Sequence, residues 1–147
     1  MAYDYKSDQI TNADAVPAVA NNPNTANRVS VEFFSYTIPA GNLAVGKTLE
    51  LCRLRKGVRP LYGKFSCSAL TTAGGTAGVK IGDGTTVDKY LAETSVDGAS
   101  NIEFLGKQAE AAGVALTADT SIVATVATEA WAAAGTITGF VMFAGGH

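Results

Sequence analysis

Histidine and cysteine are close to missing from this chain of 147 residues. The single histidine is the last residue, His147, and the only cysteines are Cys52 and Cys67. A terminal imidazole has no scaffold to hold it within the ~0.5 Å that catalytic geometry demands. Without a second histidine there is no Ser/His or Cys/His pair to activate a nucleophile. Two cysteines cannot build a four-thiolate zinc site or a disulfide framework, and neither HExxH nor CxxC occurs. On a hairpin turning near Lys56-Gly57 the two thiols fall out of bonding reach, so both read as small buried apolar groups. The glycine-rich stretches 74–78 and 82–86 do not match the phosphate loop GxxxxGK[ST]. Asp83 and Asp88 lack the rest of a calcium-loop ligand series, and both stretches read as turns. The expectation is no catalytic residue, no cofactor and no metal, hence no enzyme.

Long apolar runs are missing too. None approaches the ~18 residues of a membrane span, and the N-terminus lacks a basic segment followed by an apolar one, so neither a membrane partner nor a secretory signal is expected. Charge is sparse at 16% of residues, with 11 Lys and Arg against 13 Asp and Glu. A net charge of −2 is not the footprint of a general nucleic-acid binder.

What remains is glycine, at 16 residues, and a hydrophobic content of 47%. Residues 1–28 (MAYDYKSDQITNADAVPAVANNPNTANR) carry no sustained apolar period, and Tyr3 and Tyr5 are their only large anchors. Ordering about 28 backbones costs on the order of 30–50 kcal/mol. Offsetting 30 of that by apolar burial takes roughly 1,200 Å², more than this stretch offers. It reads as an extended N-terminal arm that is ordered against another subunit or against its own domain, with Tyr3 and Tyr5 as interface anchors.

From Val29 the texture changes. Val29–Ile38 (VSVEFFSYTI) alternates Val29, Val31 and Phe33 against Ser30, Glu32 and Phe34 and reads as a strand. Further strands are expected at 48–54, 59–70, 79–82, 89–94, 101–105, 120–128 and 135–144, with one helical turn over 108–113. Eight short strands separated by Gly, Pro and Asp turns favour a single all-β sandwich over 29–147, with the strand number of a jelly roll.

One charge asymmetry is present. Lys47, Arg53, Arg55, Lys56, Arg59 and Lys64 supply six of the 11 basic residues, with Glu50 the sole acid between 47 and 64. Five basic and 12 acidic residues remain elsewhere, net −7. On a hairpin these cations crowd one end of the domain. They form either a docking patch, for an acidic protein surface or secondarily for a polyanion, or a guard against strand addition. Arg53, Arg55, Lys56 and Arg59 are the candidate protein-interface residues there.

The run 49–59 (LELCRLRKGVR), the segment VKIGDGT at 79–85 with DKYL at 88–91, and the closing GTITGFV at 135–141 resemble small virion proteins of tailed bacteriophages. The resemblance implies a capsid decoration, or cement, protein: a β-sandwich, often a jelly roll, on the outside of the head. It implies the major capsid protein as partner, a homo-oligomer (dimer or trimer), terminal arms that latch neighbours, and assembly in the host cytoplasm. The function expected is stabilisation of the lattice by bridging neighbouring major capsid subunits. The alternative is a virion-displayed carbohydrate- or receptor-binding β-sandwich. The single tryptophan, Trp131, lies in an Ala-rich stretch that suggests packing rather than a sugar platform.

Overall fold

The computed structural model describes residues 28–38, 43–71, 75–105 and 112–145. The arm with Tyr3 and Tyr5 lies outside the described residues, as does most of the expected helical turn over 108–113. Among the described residues there are eight strands: β1 (Val29–Ile38), β2 (Thr48–Leu54), β3 (Arg59–Cys67), β4 (Gly78–Gly82), β5 (Leu91–Ser95), β6 (Ser100–Phe104), β7 (Thr120–Ala127) and β8 (Gly135–Ala144). They form two four-stranded antiparallel sheets, β1-β8-β3-β6 and β2-β7-β4-β5. Consecutive strands mostly change sheet, the double Greek-key wiring of a jelly roll.

The core lies between the sheets. One wall carries Phe65, Cys67, Phe104, Ile137 and Val141, and the other Leu51, Leu54, Val79, Ile81, Ile122, Ala124 and Val126, all buried. Trp131 sits among them with no exposed surface. Its ring centroid is 6.5 Å from that of Phe65, and its indole N–H donates to the Gly78 carbonyl at 3.1 Å. Its backbone pairs with Leu43 in both directions at 3.0 and 3.1 Å. A buried indole needs such a partner, so the packing role expected of Trp131 holds.

Two of the strand glycines lie beneath aromatic rings. Gly63 on β3 pairs with Phe104 on β6, and a Cβ there would run into the Phe104 ring. Gly139 on β8 pairs with Phe34 on β1, and a Cβ there would meet the Phe34 ring and the Lys64 carbonyl. In both pairs an aromatic ring folds over the bare backbone opposite, the cross-strand arrangement that fills the gap a strand glycine leaves.

The alternation of β1 leaves its inner face open, and the structure decides it. Phe34, Tyr36 and Ile38 point inward and pack with the core, which leaves Val29, Val31 and Phe33 on the outside at 52%, 44% and 77% exposure. Alternation has a period of two, so the aromatic second half of the strand fixes the parity of the whole.

The β2–β3 connection is a correction to the sequence reading. These strands do not form a hairpin: β2 pairs with β7, while β3 pairs with β8 and β6. The turn at Lys56-Gly57 therefore crosses between sheets. It is braced by Gly57 N–H to the Leu116 carbonyl and Leu116 N–H to the Val58 carbonyl, both at 2.8 Å. Cys52 and Cys67 consequently belong to opposite sheets and remain free and buried. Burial pushes the Cys52 thiol up to about 12, reinforced by the Glu32 and Glu50 carboxylates, and raises Cys67 as well. Neither thiol forms appreciable thiolate near neutrality. Ellman's reagent at pH 8 should titrate no thiol in the folded chain and two in denaturant. Rapid native labelling of either would contradict this packing.

Candidate docking interface

The basic residues do not gather as a hairpin would gather them. Lys47 precedes β2, at the far end from Arg53. Arg53 is 80% exposed and grips Glu50 in a fork, Nε to Oε1 at 2.6 Å and Nη2 to Oε2 at 2.9 Å. The Ser121 hydroxyl donates to the same Oε1 at 2.6 Å. Hydrogen bonds from Arg53 and then Ser121 hold the Glu50 carboxyl down to about 2, so the pair stays ionised well into the acid range.

Arg55 and Lys56 stand exposed on the crossing turn, pinned by the Lys56 N–H donating to Asp119 Oδ1 at 2.9 Å. Arg59 is half-buried, and its Nη1 donates to the Gly113 carbonyl at 2.8 Å. That contact ties β3 to the 112–116 segment. Lys64 lies midway along β3, paired with Glu103 of β6 and Phe140 of β8. Of the four interface candidates at this end, Arg55 and Lys56 present exposed cationic surface, Arg53 is exposed but paired with Glu50, and Arg59 is half-buried against the Gly113 carbonyl.

The GDGT segment is a turn built on its own carboxylate. Asp83 Oδ1 accepts from the Thr85 and Thr86 N–H groups at 3.0 and 2.8 Å, and Oδ2 pairs with Lys89 Nζ at 2.7 Å. Burial works to raise the Asp83 pKa, but Lys89 and the two amides outweigh it and the net shift is downward. A recess of about 210 Å³ beside this turn is lined in part by Lys89, Tyr90 and Leu116. The carboxylate within it is already committed.

Sequence reasoning missed the outer face of the β1-β8-β3-β6 sheet. Val31 faces Met142 and Phe33 faces Phe140 across β1 and β8, and Tyr62 on β3 faces Met142. Ring centroids are 6.1 Å apart for Phe33–Phe140 and 6.0 Å for Tyr62–Phe140. The signal was the double alternation of β1 and of GTITGFVMFA. Only the long-range register shows that the two outward apolar rows lie side by side.

No protein-family model and no curated protein matches this chain. Solved structures do share its fold. A chain of the cyanophage Pam1 capsid asymmetric unit superposes with a TM-score of 0.65 at 20% identity, covering 80% of this chain and 85% of that one. A chain of the capsid of Ralstonia phage GP4 gives 0.64 at 17% identity over 82% and 86%. One from the capsid of Helicobacter pylori bacteriophage KHP30 gives 0.50 at 13% identity over 80% and 92%. The jelly-roll sandwich is thus shared nearly end to end with chains found in phage capsids.

Proposed function

We propose that this chain is a structural protein of a phage head. In this reading it sits on the outer surface of the capsid and stabilises the lattice by bridging neighbouring major capsid subunits. The observation that carries the reading is the match over at least four-fifths of both chains to proteins from phage capsids. The mechanism is linkage: a ligand that binds the assembled lattice and not its dissociated subunits stabilises the assembly by RT ln(1 + [L]/Kd), about 2.7 kcal/mol at a hundredfold excess over Kd.

The N-terminal arm, with Tyr3 and Tyr5, acts as the latch to a neighbour, and the exposed Arg53, Arg55 and Lys56 steer docking onto an acidic capsid patch. Heads assembled without this chain test the reading. Added chain should bind saturably and raise the temperature at which heads release their contents. Binding to arrayed glycans with no affinity for heads would favour a virion-displayed carbohydrate binder instead.

Charge reversal at the turn isolates the docking step. Rim charges act mainly on the encounter and are screened beyond about 8–10 Å at physiological salt. R55E/K56E should slow association with immobilised heads and flatten its salt dependence, leaving the melting temperature of the free chain nearly unchanged. An on-rate unaltered at both low and high salt would remove these residues from docking.

A further inference from the structure

Among the described residues the two sheets end in four edge strands, and three of them are protected against strand addition. β2 carries a register shift between Glu50 and Cys52 and the exposed Glu50–Arg53 fork. β5 and β6 are five residues each and bear Glu93 and Glu103. Charge, bulges and short length are the devices that keep edges from pairing with other chains. β1 is neither bulged nor short. It is ten residues long, pairs with β8 through ten consecutive positions without a shift, and contains one charged residue, Glu32. Its outward apolar side chains are Val29, Val31 and Phe33, and Phe33 is the most exposed large hydrophobic side chain among the described residues, at 77%.

We propose that β1 is a homodimer edge: a second copy of this chain pairs with it antiparallel about a two-fold axis, joining two four-stranded sheets into one of eight. The strand is complementary to itself. With Phe33 on the axis, Val31 faces Ser35 of the second copy, Val29 faces its Thr37, and Glu32 faces its Phe34. No like charges oppose each other, which such pairing requires. Phe33 meets its own mate on the outer face, extending the Phe33–Phe140–Tyr62 row across the junction. The half-exposed inward residues Phe34 and Tyr36 gain cover on the other face.

Nine paired residues span about 30 Å, so each partner buries roughly 300–400 Å², about half of a standard interface. The expected dimer is therefore weak in dilute solution, with Kd on the order of micromolar. Copies held side by side on a surface would pair far more readily. The edge makes the unit a dimer rather than a trimer. It belongs to the free chain and does not depend on the capsid reading.

Sedimentation velocity of the full chain, from about 1 to 200 µM, reads the equilibrium over the range set by that Kd. A reversible monomer–dimer shift is expected. F33K places two like charges at the axis and should weaken association at least tenfold. Its melting temperature should stay close to that of the parent, because the side chain it replaces is mostly in water. V45K, which alters another exposed apolar residue away from β1, should leave association unchanged. Hydrogen exchange should show β1 amides gaining protection as concentration rises. A chain that stays monomeric throughout overturns the proposal, as does a dimer indifferent to F33K or equally weakened by V45K.

Discussion

Replacing Trp131 with alanine is expected to cost about 3–5 kcal/mol of stability, lowering the melting temperature by roughly 10–20 °C at about 3–5 °C per kcal/mol for a domain of this size. The indole is fully buried, packs on Phe65 and satisfies the Gly78 carbonyl. Its removal leaves both a cavity and an unpaired acceptor. Trp131→Phe should lose less, since it fills most of the volume and forfeits mainly the hydrogen bond. Urea unfolding followed by circular dichroism separates the two variants. A loss under about 1 kcal/mol for the alanine variant, the range of surface substitutions, would mean that Trp131 does not close the core.

The second large effect concerns Gly63. Valine there drives side-chain carbons into the Phe104 ring, which is itself fully buried. Overpacking of this kind costs about 1–3 kcal/mol even for a modest insertion, and Gly63→Val is expected to exceed that range. Gly63→Ala is the measurable form, read by urea unfolding. Combining it with Phe104→Leu should recover part of the loss, because the smaller side chain yields the space the methyl needs. The coupling measured in that double-mutant cycle is expected to be favourable. Additive losses would indicate that the ring does not rest on the glycine.

Much of the secondary structure was legible in the residues. The bounds of β1, β2 and β8 coincide with their alternating runs, and the ends of the remaining strands move by three residues or fewer. Local alternation and turn chemistry are properties of neighbouring residues, so they survive in the sequence. Pairing is not local. Lys56-Gly57 reads as a hairpin because a basic-Gly turn between two apolar runs usually is one, yet the segment at 112–116 and strands β7 and β8 draw its two arms into different sheets. The outward apolar row of β1 was invisible for a related reason. VSVEFF offers two plausible inner faces, and Phe34, Tyr36 and Ile38 decide between them only once β8 is in place. The Phe34–Gly139 and Phe104–Gly63 pairs join residues far apart in the chain, with no local sign of either partner. For the candidate interface, the cluster Arg53, Arg55 and Lys56 was legible as a charge run, whereas the engagement of Arg59 by Gly113 was not.

The central claim is that this chain is a regular component of a phage head. The most direct test is to purify virions, strip loosely bound protein with high salt, and count copies of this chain against the major capsid protein by quantitative mass spectrometry. A lattice-bridging protein predicts a fixed, reproducible ratio matching a set of symmetry-related positions. Absence from stripped virions, or a few copies per particle at a variable ratio, would contradict the account.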